Sequence, residues 1–304
     1  MLRLNSHKPR DGEIDHWLIW VIISMSIVGL VFVYNASSVG AQERFGDSFH
    51  YLKSQLFAWV LGLSGMYIAY KIPIDKYEKL NKFIYWGVIV LLVLTFLNSR
   101  IYGASRWIFF QGLSLQPSEL SKLALILQLA FIASNQTKEW LKKYATAAGI
   151  ILSLVLFQPD LDTTVVLATI ALGIYFVSGA PIKVLAKIVG AGIVFLIVLI
   201  VGTSYRSQRL LTFFNINEGK GEESYHIWQV ILALGSGGLL GHGLGMSRFK
   251  YGYIPEAVGD SIFAIIGEEL GFAGAVALIL AYLWLVIRIF RIARQSENLF
   301  YSYI

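Results

Sequence analysis

The chain has 304 residues, 56% of them hydrophobic and only 14% charged, a balance that excludes a water-soluble core and indicates a protein crossing a membrane several times. The net charge of +6 sits in short clusters between apolar runs, which is the pattern of membrane orientation and not of nucleic-acid binding. There are no cysteines, so disulfides, thiol chemistry and cysteine-based metal sites are excluded.

Residues 1–14 are polar. The apolar run from Trp17 to Tyr34 then exceeds the core of a signal peptide, typically about 7–15 residues, and is expected to be an uncleaved first span. Further spans are expected at roughly 54–72, 83–98, 117–134, 144–158, 163–179, 187–203 and 261–287. The expected fold is an all-α polytopic membrane protein: one membrane domain over 1–304, with eight transmembrane helices and a long external loop over 204–260 between spans seven and eight. Lysine and arginine gather at Arg3 to Arg10, Lys71 to Lys82, Lys138 to Lys143, Lys183 to Lys187 and Arg288 to Arg294. The short loops opposite carry only Arg44, Lys53, Arg100 and Arg106. The positive-inside rule therefore places both termini in the cytoplasm. Four unusual segments then face outward: 101–116, Gln116 to Glu119, Gln158 to Asp162, and 204–260.

In the first of these regions Arg106-Trp107 precedes Gln116-Pro117-Ser118-Glu119-Leu120-Ser121-Lys122. Pro117 suits the first position of a helix, and Glu119 in the first turn complements the helix dipole. Lys122 shares a face with Glu119 at i,i+3. Arg106 and Trp107 fit interfacial anchors equally well, whereas Lys122 lies a turn below the boundary, where a fixed cation can hold a phosphate. In Gln158-Pro159-Asp160-Leu161-Asp162, one acid suffices to cap the next helix, which leaves the other without a structural duty. The loop 204–260 opens on a basic cluster with Arg206 and Arg209, continues through Tyr225-His226-Ile227-Trp228-Gln229, and reaches a glycine-dense stretch from Gly235 to Gly245. It is not a phosphate-binding P-loop, because no Gly-Lys-Ser/Thr follows. It ends at Tyr251 to Phe272, where Glu256 and Asp260 lead into apolar helix and Glu268 and Glu269 follow two turns later. Acids in or beside a span are functional suspects. Asp is also a preferred N-cap, so Asp260 admits both a capping and a chemical role. The mixture of acids and cations suits an anionic lipid-linked substrate whose hydroxyl must be deprotonated, or a transport pathway.

These residues resemble the SEDS family (shape, elongation, division and sporulation), of the FtsW/RodA type. The resemblance rests on Tyr34-Asn35-Ala36-Ser37-Ser38, Arg106-Trp107-Ile108 with QPSELSK, QPDLDT, YRSQRLLTF, ALGSGGLLGHGLGMS and IPEAVGDSIFAIIGEELGF, in family order over nearly the whole chain. The serine pair and the PEA…IGEELG wording lean toward FtsW. The resemblance implies a peptidoglycan glycosyltransferase of the bacterial cytoplasmic membrane. It would polymerise lipid II on the outer face beside a class B penicillin-binding protein and other division or elongation proteins, with no nucleic acid. It implies Asp260 as general base. Arg106, Glu119, Lys122, Asp160, Arg206, Arg209 and Glu256 would be substrate-binding residues, with the cations neutralising pyrophosphate. It implies no metal-ligand set and no definite cofactor, a divalent cation being left open. The family usually has ten spans, and the sequence ends at Ile304 without the last two and their glycine-rich signature, which implies slow polymerisation by this chain. Asp162 stands where glycine is common, and Val258-Gly259 where His-Thr is common. Two other functions fit: a lipid II flippase, with Lys122 and Glu268 lining a path through the bilayer, and a non-catalytic scaffold of the division complex.

Overall fold

The computed structural model describes residues 14–97, 106–110, 113–202, 222–249 and 259–304. In chain order the elements are α1 (His16–Phe45), α2 (His50–Lys71), α3 (Ile74–Thr95), β1 (Ile108–Phe110), β2 (Leu113–Leu115), α4 (Pro117–Ser134), α5 (Trp140–Phe157), α6 (Leu161–Val177), α7 (Ile182–Val201), α8 (Glu222–Ser236), α9 (Ile262–Gln295) and α10 (Leu299–Tyr303). A helix lies over each of the eight stretches expected to be apolar spans. Among the described residues α1, α5 and α9 are long and apolar enough to cross a membrane, and α6 is a shorter apolar helix.

Local chemistry fixes several ends. Asp15 caps α1 by accepting from Leu18 N at 3.1 Å, and Gly46 closes it in the left-handed region with its N–H on Gln42 O at 3.0 Å. Pro117 opens α4, where its missing N–H costs no hydrogen bond. Three features depart from the expectation. The all-α architecture carries one small antiparallel hairpin, with Ile108 opposite Leu115 and Phe109 opposite Ser114. The stretch expected to be loop contains the helix α8. And α9 is broken at Gly271 (φ 68°, ψ −169°) into segments 262–270 and 272–295.

The chain divides into two compact units. One comprises 68–194 with 291–304, and α4 lies at its centre, packed by α3, α5, α6 and α10. Leu92, Leu125, Leu129, Ile151, Val155 and Leu167 are fully buried there, while Ala124, Ala147, Ala148 and Ala171 allow close helix approach. Tyr85 donates to Ala147 O at 2.8 Å and Tyr144 to Ala171 O, which satisfies two buried hydroxyls. Phe300 of α10 is buried against Leu127 and Ala130. The connections fall at two ends. The approach to α4 meets the α5–α6 junction at one, and Gln136 donates to Ser178 O at 3.0 Å at the other.

The second unit comprises 1–67 and 195–290. Here α1 and α9 run antiparallel, clipped at two levels. Arg288 Nε donates to Asp15 Oδ2 at 2.5 Å, and this bond holds the Asp15 carboxyl below its ordinary value. At the other level Asn35 Nδ2 donates to Glu269 Oε2. The clips are 20 positions apart on α1 and 19 on α9. At ~1.5 Å per residue that is about 30 Å, the thickness of a bilayer's hydrocarbon core.

At the upper clip the glycine-rich segment packs its backbone onto the break in α9. His242 N and Gly243 N donate to Glu268 O and Glu269 O at 3.1 and 3.0 Å; Phe272 N and Ala273 N donate back to Gly238 O and Leu239 O at 2.9 and 3.1 Å. The exchange satisfies groups that the break would orphan. It needs glycine: a Cβ on Gly241 (φ +78°) would stand 2.1 Å from Glu269 O, and one on Gly271 2.3 Å from Gly241 N. Gly241→Ala therefore combines left-handed strain of about 1–2 kcal/mol with a backbone collision that cannot relax. Gly235→Ala, inside α8 with nothing within 4 Å, is neutral or stabilising by up to about 1 kcal/mol. Thermal melting in detergent checks the pair: Gly241→Ala should melt well below wild type and Gly235→Ala at or above it.

Candidate functional site

In the α3–α6 unit, the sequence around Asp160 builds a polar cluster at two helix N-termini. Asp160 is 3% exposed and caps α6 by accepting from Thr163 N at 3.3 Å. Its other oxygen faces Gln116 Nε2 at 3.3 Å and Ser118 Oγ at 3.4 Å, both from the start of α4. Arg106 Nη1 lies 4.0 Å from the carboxylate, while its Nη2 donates to Pro159 O and its Nε to Gln158 O at 3.4 Å. Gln158 is fully buried and donates to Leu92 O at 3.1 Å and Thr95 Oγ1 at 2.8 Å, tying this junction to the end of α3. Asp160 thus does more than cap. It supplies a counter-charge beside a one-third-exposed guanidinium whose hydrogen bonds go to the carbonyls of Gln158 and Pro159. Asp162, one residue into α6, is exposed.

Glu119 and Lys122 form an i,i+3 ion pair at 2.8 Å, with 57% and 33% of their side chains exposed. Such a pair contributes at most about 1 kcal/mol, so Lys122 can exchange its partner for a phosphate at little cost.

In the α1–α9 unit, Asp260 is exposed and its carboxylate makes no hydrogen bond to any described residue. The helix starts at Ile262, one residue later than a cap at Asp260 requires, and Ser261 stands in the flanking position. Ser261 is 2% exposed, with its Oγ 3.2 Å from His226 Nε2 on α8. The capping role is therefore Asp160's and not Asp260's. Glu268 and Glu269 are fully buried: Glu268 accepts from Ser247 Oγ and from Arg248 N at 2.8 Å, and Glu269 from Asn35 and from Ser247 N at 3.2 Å. Glu268, which the flippase alternative places along a path, is enclosed by these donors.

Arg206, Arg209 and Glu256 lie outside the described residues. Gln116, Ser118, Gln158, Asn35, Ser247 and His226 have roles that were not assigned from sequence, although each lies in a motif noted there or directly after one. Uncharged side chains in such motifs carry no signal of their own until their partners are known. Among the described residues, no group of three or more potential metal ligands gathers.

Membrane-length helices and a broken helix braced by a glycine turn define a polytopic helical membrane protein whose polar clusters stand at helix N-termini. The chain belongs to the FtsW/RodA/SpoVE family, described as cell cycle proteins, whose match runs over residues 16–304. It is similar to a Geobacter metallireducens protein named probable peptidoglycan glycosyltransferase FtsW, with 33% identity over 94% of this chain and 79% of that one. An Escherichia coli protein of the same name is 34% identical over 93% of this chain and 70% of its own length. Two solved structures share the fold. A chain of a peptidoglycan synthase complex has a TM-score of 0.72 at 23% identity, covering 95% of this chain and 81% of that one. The Thermus thermophilus rod shape determining protein RodA has a TM-score of 0.66 at 23% identity, covering 97% and 81%.

Asp160→Asn keeps an N-cap of equal quality but removes the charge beside Arg106. Its melting temperature should stay near wild type, while Asp160→Ala loses a further ~1 kcal/mol with the cap. Both variants should release Arg106, seen as faster modification of its guanidinium by phenylglyoxal.

Proposed function

We propose that this chain is a peptidoglycan glycosyltransferase that polymerises lipid II at the outer face of the bacterial cytoplasmic membrane, in the manner of its FtsW-named relatives. The observation that carries the mechanism is the exposed carboxylate of Asp260, which caps no helix and pairs with no residue among those described. An acceptor sugar hydroxyl attacks the donor's reducing-end carbon, and the bond from that carbon to the pyrophosphate oxygen breaks. Undecaprenyl pyrophosphate leaves with the electron pair, and Asp260 takes the hydroxyl proton. General-base assistance of this kind contributes about 10²–10⁴-fold. Arg106 and Lys122 neutralise the leaving pyrophosphate, Arg206 and Arg209 adding to this charge. Asp160 orients Arg106, and Glu119 keeps Lys122 extended until substrate displaces it. Glu256 is assigned to the acceptor.

Eight spans with both termini cytoplasmic accompany this reading. The lower clip supports it, because it brings the start of α1 and the basic end of α9 to one level of their unit. A class B penicillin-binding protein is the expected partner, in keeping with the synthase complex whose chain shares the fold.

Purified protein incubated with lipid II tests the reading, glycan polymer being the expected product. Asp260→Asn should lower polymerisation by about 10²-fold or more at an unchanged melting temperature, since the residue caps nothing. Normal polymerisation by that variant would move the base to Glu119, Asp160 or Glu256. Lys122→Met keeps the apolar stem and should raise the KM for lipid II several-fold; turnover and KM close to wild type would remove Lys122 from pyrophosphate binding.

A further inference from the structure

The segment from α8 through the glycine turn was expected to be an external loop, yet its chemistry is that of a lipid contact. No Asp, Glu, Lys or Arg occurs between Glu223 and Arg248. Along α8, Tyr225, Trp228, Ile231 and Leu232 are 41–47% exposed at helical spacing, so they form one outward stripe. Beyond it Leu239, Leu240, Leu244 and Met246 are 63–83% exposed. Eight large apolar side chains presented together by an aqueous loop would be a strong aggregation liability. The order along the chain is also informative: an aromatic pair first, then aliphatic residues, as at a membrane interface.

The backbone bonds set the depth. Leu239 O accepts from Ala273 N, and Gly238 O from Phe272 N. Ala273 follows Glu269, at the upper clip, by four positions, or about 6 Å toward the lower clip. The two clips already span the thickness of a hydrocarbon core, so the tip of the glycine turn lies about one helical turn inside its outer boundary. Irregular backbone is tolerated at that depth only when its polar groups are satisfied, and the exchange with α9 satisfies them.

We propose that α8 lies in the outer interface and that the turn Gly237 to Gly245 dips into the outer leaflet, with Leu239, Leu240, Leu244 and Met246 in contact with lipid acyl chains. The insertion is shallow, of the order of 5–10 Å, like that of an interfacial amphipathic helix. Its consequence rests on the glycosyltransferase reading. His226 on α8 meets Ser261, the neighbour of Asp260, so an interfacial α8 keeps the proposed base on the aqueous side of the turn, facing the headgroups among which the pyrophosphate of a lipid-linked donor resides.

The cysteine-free chain permits a direct test in all 304 residues. Leu240→Cys and Leu244→Cys, with Glu43→Cys at the exposed end of α1 as an aqueous reference, are labelled with an environment-sensitive nitrobenzoxadiazole probe. The proteins are reconstituted in phosphatidylglycerol/phosphatidylethanolamine vesicles with and without acyl-chain-brominated lipid. The expected result is bromine quenching of both turn positions several-fold above that of Glu43→Cys. Their reaction with a membrane-impermeant maleimide should be at least tenfold slower than at the reference. Reaction as fast as at the reference would overturn the proposal. Slow reaction without bromine quenching would overturn it too, since protein would then cover the patch. Bromine quenching does not depend on turnover, so loss of polymerisation in Asp260→Asn, or its absence in wild type, tests the glycosyltransferase reading separately.

Discussion

Two adjacent carboxylates can enter the interior of an apolar helix only if hydrogen bonds satisfy them, and Glu268 and Glu269 impose that condition on everything around them. Their donors come from far apart in sequence: Asn35 on α1, and Ser247 and Arg248 after the glycine turn. Meeting the condition fixes the upper end of α1 and brings the 237–247 segment onto α9. The glycines are then a consequence, because carbonyls at 268 and 269 can receive the N–H groups of 242 and 243 only if no side chain intervenes. The break at Gly271 belongs to the same arrangement. It releases the N–H groups of Phe272 and Ala273, which would otherwise bond within the helix, to the carbonyls of the turn.

The helices that carry the fold were legible because apolar runs of 15 residues (144–158) to 27 residues (261–287) are a long-window signal that single residues do not upset. What escaped that window was short or relational. The hairpin at 108–115 has only three residues a strand, too few for alternation to register. In α8 the apolar positions run straight into glycines, which mask its end. The break in α9 lies two residues after Glu269, and Gly271 there looks like any glycine of a membrane helix until the backbone it faces is known.

Asp160 and Asp260 show the same limit at the site. Each is an acid just before an apolar helix, and propensity gives them the same prospects as caps. The structure separates them by one residue of helix start. Asp160 directly flanks Leu161 and caps, whereas Asp260 stands one place further out and caps nothing. Cap geometry tolerates no such offset, since the side chain must reach an N–H two or three residues on. A role that sequence left open is thus decided by where the first turn closes, and that in turn depends on tertiary contacts such as the buried Ser261 against His226.

The clips of α1 and α9 also bear on how the two helices are kept in register with each other. An inserted or deleted residue between Glu269 and Arg288 would rotate one clip by about 100° relative to the other, because each helical residue advances by that angle. Asp15 and Asn35 lie on one continuous helix and could not follow both. The distance from the basic end of α9 to its glutamates is therefore held by two side-chain bonds as well as by apolar length. Apolar length alone fixes a helix in a bilayer only loosely, since tilt and local thinning absorb several ångströms at a modest cost. Paired polar clips admit no such sliding between the two helices, and elements hung from the upper clip inherit its height.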